Sequence, residues 1–377
     1  MTDLDIRKPS IRMPSPEVPG DGALVPEPLW RVRLRLARKS FVRNWKLFAR
    51  NKIGLVGLTI IGIFALMALI HPILMGRVWD PAIYDPVTGY DAPLTSLLIV
   101  ESCPVPEGAA KPVCAPGEID LVNAQIEANP YVKVGETLEV PLQPAPPSKA
   151  HWLGTDPVGR DILSQLMYST RAAFALGAIA AFMAVFIATA IGSISAYYGG
   201  WLDAGLMRLA DLVLLVPLIP VLIVVSAFIN LNLPLLGVLL GLLSGFGGTA
   251  IVLKSQALSV TVKPFVDAAR VAGGTNRHII FRHIIPNVLP LSFLYMMFTV
   301  TDAISLEATL SFLGLMNTRM SWGIMIHTTN SQGYLLSGWS YWWLLIPAGL
   351  AVTLVAASFF LVGRAMDEVI NPRLRRR

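Results

Sequence analysis

From about residue 53 the chain alternates long apolar runs with short polar breaks. Ile53 to about Leu74 contains no Asp, Glu, Lys or Arg, and roughly twenty such residues in a helix cross a hydrocarbon core. Five further apolar runs come after it, at about 172–196, 209–230, 234–253, 287–306 and 342–363. Lipid offers backbone groups no hydrogen-bond partners, so each run is expected to be helical. Pro217 and Pro220 should bend the third run, and Pro234 should open the fourth.

One polar break stands apart. Thr261 to Pro290 is a basic island between two apolar runs, and its pattern predicts two short helices. Pro264 suits a first helical turn, where its missing N–H costs nothing. Good helix formers then run from Phe265 to Ala272 until Gly273 and Gly274, a pair suited to a C-cap. Thr275 can cap a second helix, which Pro286 is expected to end or kink. The most economical use of a helix–glycine–helix hook between two spans is to be gripped by a partner.

Composition sharpens this picture. Hydrophobic residues make up 54% of the 377 and charged residues 14%, with a mean hydropathy of +0.61. That balance belongs to a multi-spanning membrane protein. A net charge of +6 would suggest nucleic acid in a soluble chain, but here the basic residues flank apolar runs and read as an orientation signal. Residues 1–29, rich in proline and mixed charge, read as a disordered cytoplasmic tail. Residues 30–52 carry nine Lys or Arg, with Phe41, Trp45 and Phe48 at helical spacing. This is a basic amphipathic segment suited to an anionic lipid surface. Its charge holds the N-terminus inside, and six spans return the C-terminus to the same side. The hook's Lys263, Arg270, Arg277 and Arg282 then also fall inside, whereas Arg160 and Arg171 are exceptions on the outside.

Residues 75–150, between the first two spans, are therefore extracytoplasmic: proline-rich, and expected to form a small irregular or β-containing cap. Cys103 and Cys114 both lie there. A bridge closing that short loop is favoured in such a compartment, with two free thiols as the alternative. Gly154 and Gly159 have the spacing of a phosphate-binding loop, but Arg160 and Asp161 stand where Lys and Ser or Thr are needed. The chain thus lacks its own ATPase site. The five histidines have no metal-site spacing, and no nucleophile–base arrangement emerges. Asp302 and Glu307 lie in or near the fifth span, where carboxylates are costly; a structural role is the favoured reading for both. Tyr295, Met296 and Met297 read as helix packing rather than pathway lining.

Four stretches together resemble one family. Asp267-Ala268-Ala269, Gly273 and Ile285-Pro286-Asn287 resemble the EAA loop of bacterial ABC importer permeases, which usually have Glu in place of Asp267. Gly154-Thr155-Asp156 with Gly159-Arg160-Asp161, the run Glu307–Leu315 with Ser321-Trp322-Gly323, and Asn371-Pro372-Arg373-Leu374 are similar to the dipeptide/oligopeptide/nickel branch. The likeness covers roughly residues 40–75 and 150–377.

The resemblance implies an all-α membrane protein with the six transmembrane helices of a type I ABC importer permease. It leaves 75–150 as an insert after the first span (53–74), with a permease core over 151–377 and a cytoplasmic coupling loop over 254–286. It implies a transport subunit, not an enzyme, with Asp267, Ala268, Ala269, Gly273 and Arg277 meeting an ATPase. It further implies a second homologous permease, two ATPase subunits that bind the ATP and magnesium, and an extracytoplasmic substrate-binding protein. Peptide is the expected cargo, with nickel or another small solute as the alternative. An ATP-independent secondary transporter is the rival reading.

Overall fold

Asn51 begins the first long helix because its side-chain oxygen accepts the Gly54 N–H at 3.0 Å, satisfying a donor that the first turn leaves open. The computed structural model describes residues 29–98, 137–336 and 338–370. The expectations for the N-terminal tail before Leu29, for Cys103 and Cys114, and for the Asn371–Leu374 motif lie outside the described residues. Two units separate, Met1–Leu47 and Phe48–Arg377. The first contributes most of helix α1 (Leu29–Phe48), whose Leu36 and Trp45 are exposed among its basic residues.

Among the described residues of the second unit, four helices are long and apolar enough to cross a membrane. They are α2 (Lys52–Arg77), α4 (Ile162–Tyr198), a continuous helix Asn276–Phe312, and the segment Trp339–Ile370, which contains α13 (Trp342–Ile370). Two bent pairs bring the possible spans to six. Helices α5 (Gly200–Leu215) and α6 (Leu218–Phe228) meet at 84°, and α7 (Leu233–Phe246) and α8 (Gly248–Thr261) at 45°. The first bend falls at Val216-Pro217, where proline removes a helical donor. Pro234 does sit in the first turn of α7, behind an Asn232 cap.

The second and fourth expected spans need correcting. α4 starts at Ile162, ten residues before the apolar run, because Asp161 caps it by accepting the Ser164 N–H at 2.6 Å. The fourth span does not run straight through Gly247-Gly248, where the backbone breaks.

Between α2 and α4 lie the short α3 (Pro81–Tyr84) and an antiparallel pair, β1 (Leu94–Leu98) with β2 (Thr137–Pro141), in register Leu94 to Pro141 and Leu98 to Thr137. A buried cluster there fixes the start of α4. His151 Nδ1 lies 2.8 Å from Asp161 and Nε2 2.8 Å from Asp91. The hydrogen bond to Asp161, supported by Asp91, raises the His151 pKa against the opposing effect of burial. Asp156 accepts from the Arg160 backbone and guanidinium and from Gln165. The glycine-rich stretch is thus a self-bonded turn, and a Cβ on Gly154 would strike the Ala145 carbonyl and the Trp343 ring.

Helix packing follows small residues, as is usual where lipid gives apolar faces no other reason to associate. On α2, Gly54 and Gly57 let α13 approach so closely that a Cβ at Gly57 would lie 2.7 Å from the Ser358 carbonyl. A further short helix, α12 (Trp322–Ser331), lies outside the elements that the apolar runs predict. Its Trp322 is fully buried in a core with Phe64, Leu166 and Met325, and its indole N–H reaches the Leu166 carbonyl at 3.2 Å.

Candidate functional site

The hook is built as a bare surface on a buried base. Helix α9 (Pro264–Val271) has Pro264 in its first turn, and α10 (Asn276–Ile279) comes next, capped by Thr275, whose Oγ1 accepts the His278 N–H at 3.3 Å. Between them the Gly274 N–H returns to the Ala269 carbonyl at 2.9 Å and the Ala272 N–H to Ala268 at 3.0 Å. Gly273 has φ +79°, a left-handed conformation that side chains disfavour. These bonds close the C-terminus of α9 and reverse the chain.

Beneath, Val266, Ile279, Ile280 and Ile284 are buried against Ala188 and Ile191 of α4, Leu253, Ala257 and Val260 of α8, and Val288. Tyr197 donates to Asn276 Oδ1 at 2.8 Å, and the Arg270 guanidinium lies over its ring at 5.4 Å. Arg270 also pairs with Asp267 at 3.2 Å. One helix back, Asp203 of α5 joins Lys254 of α8 and the Ser195 hydroxyl of α4.

Above this base, Asp267, Ala268, Gly273 and Arg277 are exposed and Ala269 is half-buried. All five expected contact residues therefore sit on the same hook. Val271 is 89% exposed, an apolar side chain that nothing covers among the described residues. Sequence reasoning missed it; an apolar side chain in the last helical position, just before Ala272 and the paired glycines, was the available signal.

Of the two outcomes expected at Pro286, an end and a kink, the first does not occur. It neither ends nor separates the second hook helix, which passes through a π-turn, Ile280–Ile284, directly into α11 (Ile285–Phe312). A wider turn accommodates the proline, which brings no N–H and whose ring would clash in a regular α-helix. The hook is consequently one end of a continuous 37-residue helix.

The two carboxylates of α11 have separate fates. Glu307 is buried and accepts the Ser311 hydroxyl at 2.6 Å, while Ser321, cap of α12, donates to Ser311 at 3.3 Å. The Glu307 carboxylate thus has its partner inside the protein. Asp302 instead lines a cavity of about 520 Å³ bordered by Val213, Val216, Leu240, Gly247, Tyr295 and Thr299, among others. Met297 packs with Val362 and Met296 against the core around Trp343, as read from the sequence; Tyr295 packs against the cluster beneath the hook and also lines the cavity. Among the described residues no group of His, Cys, Asp and Glu could hold a metal ion.

Residues 188–376, half of the chain, match the family described as the binding-protein-dependent transport system inner membrane component. The chain belongs to that family. Residues 39–93 of this permease also match the N-terminal transmembrane domain of oligopeptide transport permease C. Among its relatives are the dipeptide transport system permease protein of Bacillus subtilis, 31% identical over 62% of this chain and 72% of the relative, and the oligopeptide transport system permease protein of the same organism, 32% identical over 61% and 74%. The oligopeptide transport system permease protein of Haemophilus influenzae is 35% identical over 60% and 71%. The hook, both bent pairs and the Asp302 cavity all lie within the 188–376 match.

Proposed function

We propose that this permease is one of two homologous membrane subunits of an ATP-driven importer of di- or oligopeptides in the bacterial cytoplasmic membrane. The hook is the socket for an ATPase subunit, of which there are two, and an extracytoplasmic binding protein delivers the cargo. Each bent pair counts as one span, giving six, with both termini cytoplasmic and residues 75–150 outside. Asp267, Ala268, Ala269, Gly273 and Arg277 form the gripped surface.

The observation that carries this reading is the contrast within the hook. Its underside is buried in the span-forming helices, while its upper side offers an exposed apolar Val271 beside charged groups. Exposed apolar patches rimmed by polar groups mark sites of protein association, and Val262, Phe265 and Phe281 of the hook are exposed as well. A buried, hydrogen-bonded base lets force applied there reach the helices instead of bending a loop. The peptide cargo rests on the names of the Bacillus subtilis and Haemophilus influenzae relatives.

Reconstitution tests the proposal. In proteoliposomes carrying both permeases, both ATPase subunits and the binding protein, peptide uptake is expected with ATP and absent when the ATPase subunits are left out. Uptake in their absence would establish an ion-driven carrier and overturn the reading.

A further inference from the structure

We propose that Asp302 binds the free α-ammonium group of the transported solute inside the cavity that the two broken helix pairs border. The inference rests on the permease reading and adds the chemistry that its pathway recognises. Both breaks border this one space: Val216 from the α5–α6 break, and Gly247 and Gly248 from the α7–α8 break. Irregular backbone within apolar helices is tolerated where it borders a cavity, and discontinuous helices recur at transporter substrate sites. The far wall is α11, with Tyr295, Thr299, Asp302 and Ala303.

Among the described residues, Asp302 is the only Asp, Glu, Lys, Arg or His lining the cavity. Among them, too, it has no hydrogen-bond or ion-pair partner, unlike Glu307, which its Ser311 satisfies, and Asp203, which Lys254 neutralises. In the single chain Asp302 is exposed to the cavity, so its carboxylate is open to a cation entering between the apolar walls. An ammonium supplies the opposite charge and three donors, and the Tyr295, Ser244 and Thr249 hydroxyls line the same space as further acceptors.

The remaining walls are mainly Leu, Val and Phe side chains with nothing to select a polar group. Such a site recognises a terminus common to many solutes and tolerates varied side chains beyond it. A volume of about 520 Å³ falls in the range of small-molecule sites.

The test uses the complete transporter in proteoliposomes, with trialanine and N-acetyl-trialanine as probes. Asp302→Asn is expected to slow trialanine uptake at least tenfold, about 1.4 kcal/mol, and to leave N-acetyl-trialanine at whatever rate the wild type gives. Asp302→Glu, which keeps the charge, should restore trialanine uptake to within about threefold of wild type. Wild-type trialanine uptake by Asp302→Asn would overturn the proposal. So would equal loss of both peptides in Asp302→Asn and Asp302→Glu, which marks a structural carboxylate. A wild-type complex that moves no peptide would instead count against the permease reading itself.

Discussion

At Gly273 the two effects of adding a side chain can be separated. The first is backbone strain: at φ +79° an L-residue costs roughly 1–2 kcal/mol. A fold stable by about 5–15 kcal/mol absorbs that, so Gly273→Ala should insert, purify and melt close to wild type. The second effect is volume. A Cβ built on Gly273 meets nothing within 4 Å, so Gly273→Leu adds little strain to the isolated chain beyond what alanine adds. Any further loss must come from another molecule pressed against the glycine.

We expect Gly273→Ala to keep uptake within about tenfold of wild type, the rate equivalent of about 1.4 kcal/mol. Gly273→Leu should abolish uptake and lose co-purifying ATPase subunits at an unchanged melting temperature. ATP-driven uptake, subunit pull-down and thermal melting of the purified permease are measured side by side. If leucine transports as well as alanine, nothing approaches Gly273 and the socket assignment is wrong.

Other perturbations probe the remaining supports. Gly274→Ala places a Cβ 2.7 Å from the Ala269 carbonyl, so it should distort the hook within the chain itself; faster proteolysis at residues 262–275 is the readout. Trp322→Ala removes a fully buried indole and its bond to Leu166, at a cost of about 3–5 kcal/mol, seen as a clear drop in detergent melting temperature. The raised His151 pKa means that folding favours the protonated ring. Its stabilisation is complete below the unfolded value of 6.5 and is lost as pH climbs through the higher folded value. Melting temperature should therefore fall as pH rises above 6.5, and His151→Gln should flatten that slope while lowering the low-pH value.

Much of the architecture was legible because apolar run length and span length are set by the same bilayer. Pro217 announced its bend, since proline cannot donate within a helix. Gly247-Gly248 announced nothing distinctive, because paired glycines also occur inside tightly packed helices. At Pro286 the helix does not end, because the rule against interior proline assumes a regular α-helix and the π-turn before it relaxes that assumption. The two short helices of the hook were legible because Pro264, Gly273, Gly274 and Thr275 are local signals; Asp267, Ala268, Ala269, Gly273 and Arg277 were named through the family resemblance. His151 could not be paired with Asp91, sixty residues away and joined only by the fold. Asp302 and Glu307 looked alike as carboxylates in one apolar helix. The Ser311 one turn beyond Glu307 was the readable clue that one of them was already satisfied.

The π-turn that lets the hook run on into α11 has a consequence for energetics. From Asn276 to Asp302 the chain is one continuous helix, about 39 Å long at 1.5 Å per residue. A tilt of about 5° at the gripped end swings the carboxylate end by roughly 3 Å, about the width of one water molecule. Coupling free energy is reciprocal. On the proposed socket and the proposed Asp302 site, what ATP delivers to the cavity through this helix a bound solute returns to the socket in equal measure. Cargo occupancy should therefore tune how tightly the motor subunits hold their nucleotide.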